Sequence, residues 1–203
     1  MVLRNRHCRQ FVPASSLPAY REFLLPRLFI AVNIPEELRL TLKQMLPADS
    51  GLSPTTLENL HLTLHFLGQV SESDAETLSR TLHSGGMHAF ELSLQGTGCF
   101  HISETRGVLW CGVGASPDLM NLHQMLADQL QSLGIRIEDR PYVPHITLAR
   151  FDPRRFTDTE HFRQQHQKFT ARFPVRQFLL YESVPYPQGS RYRVRGTYCF
   201  VKP

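Results

Sequence analysis

The sequence predicts a mixed domain of the α/β or α+β class. Two observations carry that prediction. Short segments of strand length, apolar or alternating, are interleaved with helices that carry their own start signals. A four-residue pattern, His-apolar-Thr-Leu, also occurs twice in strand-like surroundings, at residues 61–64 (HLTL) and 145–148 (HITL). The two histidines stand 84 positions apart, too far for a short tandem repeat. The pattern looks like one tetrapeptide used once in each half of a duplicated fold.

The elements follow in order. Residues 28–34 (LFIAVNI) form a short apolar run and read as a buried strand. Pro35, Glu36 and Glu37 open a helix to about Leu46. After a loop over residues 47–53, Leu60 to Leu67 alternate as a strand that Gly68 stops. Ser71 and Asp74 form a capping box for a helix to about His83, and Gly85-Gly86 breaks it. Residues 90–94 and 108–113 read as strands, with a glycine-rich turn region (Gly96, Gly98) after the first. Ser116-Pro117-Asp118 starts a third helix whose Leu119, Leu122, Leu126, Leu130 and Leu133 share one face, and Gly134 ends it. Residues 144–148 form a strand entered through two prolines. Residues 154–168 are polar, an exposed loop with a short helix. Residues 173–181 and 192–201 are closing strands.

Composition narrows the class. In 203 residues, 41% are hydrophobic and 20% charged, the balance of an ordinary globular protein. No apolar run is long enough to span a membrane. Cys8, Cys99, Cys111 and Cys199 show neither C-x-x-C nor zinc-ligand spacing and read as free thiols of a reducing compartment. The net charge of +4 is unevenly spread. Residues 28–139 carry 5 basic and 13 acidic side chains, whereas residues 140–203 carry 12 basic and 4 acidic. A basic C-terminal third suits a phosphate-bearing partner and equally suits a solvated surface. Residues 1–27 hold five arginines and one acid. They resemble a transit peptide in composition, lack the apolar core of a secretory signal, and are expected to be a disordered extension to a folded domain over residues 28–203. No G-x-G-x-x-G or P-loop pattern is present, so no dinucleotide or triphosphate cradle is signalled.

Strand parity turns the repeated tetrapeptide into chemistry. Side chains alternate faces, so Leu60, Leu62, Leu64 and Phe66 are expected inward, with His61, Thr63 and His65 on the opposite face. In the second copy Ile146 and Leu148 point inward, while His145 and Thr147 point away. Each strand thus presents an imidazole beside a hydroxyl. Two imidazoles flanking a substrate form an acid–base pair near neutral pH, and two hydroxyls supply donors to an anionic centre. Opening a cyclic phosphate needs that set, and no carboxylate cluster for Mg²⁺ accompanies either motif.

With these motifs the sequence resembles the 2H phosphoesterases, and over residues 28–203 their RNA 2′,3′-cyclic phosphodiesterase branch, also called 2′–5′ RNA ligase. The resemblance rests on RLFIAVNIPEEL, ENLHLTLHFLG, DRPYVPHITLAR, LYES and RYR. It implies an α+β fold of two lobes, with duplicated antiparallel sheets related by a pseudo-two-fold axis, flanking helices and a central cleft. It implies His61 as proton donor, His145 as proton acceptor, and Thr63 and Thr147 as phosphate-binding residues. The implied substrates are RNA 2′,3′-cyclic phosphate ends or cyclic nucleotides, the product is a 2′-phosphate, and neither cofactor nor metal takes part. The reverse reaction is ATP-independent 2′–5′ ligation. A cytoplasmic, membrane-free monomer is expected. Arg150, at His145+5, matches a family arginine beside the nucleotide, but parity sets it opposite His145 unless the strand ends or bulges; otherwise it is a surface charge. Phe29 either stacks a base or packs in the core. Trp110 is expected in the core and His65 at the rim. Three rivals remain: ligation as the main role, a non-catalytic RNA-end binding module, and a histidine-ligated metalloenzyme, for which no third ligand is evident.

Overall fold

The computed structural model describes residues 25–48, 51–187 and 189–201. Among these residues the chain forms, in order, β1 (Arg27–Asn33), α1 (Glu36–Gln44), β2 (Ser53–Pro54), β3 (His61–Gln69), α2 (Glu72–Thr81), β4 (Phe90–Ser103), β5 (Arg106–Val113), α3 (Pro117–Ser132), β6 (His145–Phe151), α4 (Thr159–His166), β7 (Thr170–Val175), β8 (Gln177–Tyr186) and β9 (Gly189–Cys199). Most of the arginine-rich extension, residues 1–24, lies outside the described residues.

Local chemistry explains the helix starts. Glu36 and Glu37 sit in the first turn of α1 and Lys43 in its last, each sign matched to the helix dipole. The Ser71 hydroxyl accepts the Asp74 N–H at 3.1 Å at the head of α2. The Ser116 hydroxyl accepts the Leu119 N–H at 3.2 Å at the head of α3. Leu119, Leu122, Leu126 and Leu130 then bury one stripe of α3 against inward strand residues such as Leu62, Leu64, Ile146 and Leu148.

The sheet runs β7-β4-β5-β6-β3-β1-β8-β9, with β2 added on β6. Its named strands pair antiparallel throughout, so the class is α+β. Two four-stranded halves meet at β6 and β3, where the ladder is a single pair, Leu62 opposite Ile146. The halves are not successive in the chain. β1, β3, β8 and β9 form one lobe; the intervening β4 to β7 form the other.

Two expected boundaries differ. β4 continues through Gly96 and Gly98 rather than turning there. Gly96 takes φ +61° at a register shift, and at Gly98 a Cβ would collide with the Trp110 ring, so the glycines let a strand bend and pack closely. Residues 173–181 are two strands, not one. β7 pairs with β4 and β8 with β1, with Arg176 alone between them. That joint draws the two ends of the sheet together: the Phe200 N–H donates to the Arg176 carbonyl at 2.8 Å, and the Phe90 and Phe200 rings stack at 5.8 Å. Cys99 and Cys111 are free thiols, while Cys8 lies outside the described residues. No helix among the described residues is long and apolar enough to cross a membrane.

Leu62 is fully buried at the seam. Leu62→Ala is expected to cost about 2–5 kcal/mol, the usual penalty for a leucine-sized cavity, read as a lower midpoint in denaturant unfolding.

Candidate active site

β3 and β6 present their tetrapeptides as expected. Leu62 and Ile146 are completely buried, while His61, Thr63, His145 and Thr147 are half-buried on the opposite, cleft-facing side. Antiparallel pairing around Leu62–Ile146 sets His61 across from Thr147 and Thr63 across from His145. The two histidines therefore lie on a diagonal, which in antiparallel pairs spans on the order of 7–8 Å.

Each ring is held in the same way. The His61 Nδ1–H donates to the Asn59 carbonyl, and the His145 Nδ1–H donates to the Val143 carbonyl, both at 2.7 Å. A carbonyl only accepts, so the proton of each neutral ring sits on Nδ1 and the Nε2 lone pair is left for the cleft. Burial holds the His61 pKa down to about 4; the Asn59 carbonyl pulls it back, and the positive ends of His145 and Arg150 add to the depression. Burial likewise lowers His145, opposed by the Val143 carbonyl and assisted by Arg140. Both rings are neutral in the open cleft at pH 7.

Parity fails after the third residue of each strand, in the same place. Leu64 is bulged, since Ile30 pairs with His65 and Ala31 with Thr63. Leu148 is bulged, since Leu109 pairs with Ala149 and Trp110 with Thr147. The next residues swap faces. His65 turns inward, buried rather than at the rim, and its Nε2–H donates to the His123 carbonyl at 2.9 Å. Phe66, expected inward, is 44% exposed. Arg150 gains the cleft face by the same device: its charge acts on His61, and its guanidinium reaches the Tyr192 hydroxyl.

Phe29 faces the cleft but is only 3% exposed. Tyr181 stacks on its ring at 5.1 Å, Tyr192 meets it edge-on at 4.8 Å, and His61 lies at 4.9 Å. It forms the wall behind His61. Trp110 is not core; it pairs with Thr147 and stands 6.4 Å from His145, beside Phe100. The sequence reading missed Tyr181, Tyr192, Phe100 and Tyr142. Tyr181 and Tyr192 lie within the segments LYES and RYR, and strand alternation was the signal available for their facing. Among the described residues, no three His, Cys, Asp or Glu side chains group as a metal-holding set.

Residues 34–185 match the model of the 2′-5′ RNA ligase superfamily. The chain belongs to this superfamily, that of the 2H phosphoesterases. It is 30% identical to an RNA 2′,3′-cyclic phosphodiesterase of Archaeoglobus fulgidus, across 82% of this chain and 96% of that one. It is also 30% identical to one of Thermotoga maritima, across 83% and 92%. Among solved structures, Escherichia coli LigT complexed with 3′-AMP superimposes with a TM-score of 0.69 at 30% identity, across 87% of this chain and 99% of that one.

The geometry predicts a pH response. His61, His65, His123 and His145 are all held below the ordinary histidine pKa, chiefly by burial. The unfolded chain therefore takes up protons below about pH 6.5 that the folded chain refuses. Stability is expected to be full above that pH and to fall on acidification toward pH 4, as measured by thermal unfolding. ¹⁵N NMR of the imidazoles should show Nδ1–H tautomers for His61 and His145 at pH 7.

Proposed function

We propose that the enzyme hydrolyses 2′,3′-cyclic phosphate ends of RNA to 2′-phosphates without a metal ion. One observation carries this reading: two imidazoles, each with Nδ1 tied to a carbonyl and Nε2 directed at one cleft, each opposite the other strand's threonine. The names of the relatives support the choice of substrate.

In this mechanism His145 Nε2 takes a proton from water, whose oxygen attacks phosphorus. The bond to the ribose 3′-oxygen breaks, and protonated His61 supplies that oxygen with its proton. The Thr63 and Thr147 hydroxyls donate to the non-bridging oxygens, and Arg150 offsets the charge that develops there. The acid role falls on His61 for a physical reason. Burial and the neighbouring Arg150 guanidinium make its imidazolium a strong acid, and an arriving phosphate anion favours the proton there until it is needed. Both histidines come from one chain, so a monomer suffices. The free thiols Cys99 and Cys111 fit a reducing cytoplasm.

His61→Ala and His145→Ala are each expected to lower kcat/KM on a cyclic-phosphate RNA end by roughly 10²–10⁴-fold, with unchanged circular dichroism, and wild-type rates should be equal with and without EDTA. Full activity in either variant removes that residue from the chemistry. The pH profiles separate free from loaded enzyme. Protonated His61 is depleted as pH rises, so the alkaline fall of kcat/KM should begin on the acid side of pH 6.5. The corresponding fall of kcat should lie at higher pH, because bound phosphate holds the proton on His61. Coincident limbs would argue against His61 as the donor.

A further inference from the structure

Among the described residues, β3 and β6 share one ladder pair, Leu62 opposite Ile146. Thr63 and His145 follow it as neighbours across the gap. One step further, β6 is preceded by Pro144, which has no N–H to offer a ladder. A side chain takes over at that point. The Tyr142 hydroxyl donates to the Thr63 carbonyl at 2.9 Å, a link between residues 79 positions apart. We propose that Tyr142 is a positioning residue for the hydrolysis, which fixes Thr63 and His145 relative to each other on the attacking side of the cleft. The inference rests on the reading above, in which these two residues meet the phosphate and the attacking water.

Tyr142 reaches both residues through the backbone. Its hydroxyl holds the carbonyl of Thr63. The next residue, Val143, supplies the carbonyl that accepts the His145 Nδ1–H at 2.7 Å. Pro141 and Pro144 flank the pair and restrict φ at both ends, so the place of the Tyr142 ring is passed to the Val143 carbonyl. Tyr142, Thr63 and His145 line the same pocket. Burial pushes the Tyr142 pKa up, so the hydroxyl stays protonated and keeps its role as donor.

The ring is clamped in its turn. Tyr142 stacks on His123 of α3 at 4.0 Å, with 11° between the planes, and His123 stacks on His65 of β3 at 4.1 Å and 20°. His65 lies two residues after Thr63, and its Nε2–H donates to the His123 carbonyl at 2.9 Å. These contacts close a circuit. It runs from Thr63 along β3 to His65, across to His123, on to Tyr142 and back to the Thr63 carbonyl. Burial holds both imidazoles below the ordinary histidine pKa, so at pH 7 no repulsion between like charges opens the stack. A tyrosine that only filled space could lose its hydroxyl without effect on the reaction. Here the hydroxyl is tied to the backbone of a residue assigned to the phosphate, where a displacement of about 1 Å can cost on the order of 10²-fold in rate.

The test removes the hydroxyl and asks through which residue it acts. Tyr142→Phe is expected to lower kcat on an RNA with a 2′,3′-cyclic phosphate end roughly two- to tenfold, the worth of one hydrogen bond. KM and circular dichroism should stay at their wild-type values, the pattern of a group that acts in the transition state. In a Thr63→Ala background the same change should lose most of its effect, because the group it positions is gone. In a Thr147→Ala background it should keep its full factor. His123→Ala should lower kcat as Tyr142→Phe does, and His123→Phe, which keeps a ring in the stack, should restore it. A Tyr142→Phe enzyme with wild-type kcat overturns the inference, even where its melting temperature falls, because the hydroxyl then serves stability alone. Equal losses in the Thr63→Ala and Thr147→Ala backgrounds overturn it as well. A wild type without turnover overturns the reading of the whole site, and the role of Tyr142 with it.

Discussion

Among the described residues, Leu62 opposite Ile146 is the one ladder pair between β3 and β6, and the geometry of the cleft is registered from it. Both side chains are fully buried, so each strand is pinned with its apolar residues down and its histidine and threonine up. A slip of one residue in either strand would turn an imidazole into the core and expose a leucine. Because the pairing is antiparallel, the same contact also sets each histidine against the other lobe's threonine. A single hydrophobic constraint thereby fixes the relation between four polar groups drawn from distant parts of the chain.

Around that seam the two lobes solve the same local problem twice. Each histidine donates its Nδ1–H to the carbonyl two residues earlier, and each strand bulges three residues after its histidine. The bulge returns the residue at position +5 to the cleft face, against simple alternation. What the duplication leaves free is the identity of that residue. Arginine at one end and phenylalanine at the other convert a near-symmetric groove into one with a charged, closed end and an apolar, open end. In the proposed mechanism direction follows from that difference, since the two His-x-Thr-Leu tetrapeptides themselves are alike.

The electrostatics follow from the same enclosure. Burial makes both imidazoles neutral, which readies a base but leaves no resting acid. In the proposed mechanism an entering anion favours the missing proton, so the substrate itself assembles the acid. In that mechanism the Thr63 and Thr147 hydroxyls and Arg150 meet the charge of an entering phosphate ester.

The sequence by itself determined the two His-x-Thr strands, helix α1 with its acidic first turn, the capped helices α2 and α3, and the inward set Leu62, Leu64, Ile146 and Leu148. Each of these depends on neighbours within a turn or two: a cap beside a helix start, or a period of two along a strand. It could not determine where alternation breaks. Phe66, His65 and Arg150 change faces at bulges set by the partner strands β1 and β5, and Arg150 was legible only as a condition on such a bulge. Nor could it separate β7 from β8, because a segment that reads as one strand over residues 173–181 does not reveal that one residue, Arg176, sends its halves to opposite ends of the sheet. Tyr181, Tyr192 and Trp110 line the cleft through pairings between residues far apart in the chain. Tertiary structure decided them because facing in a sheet is settled by the register with the neighbouring strand, and only local patterns are written in one strand alone.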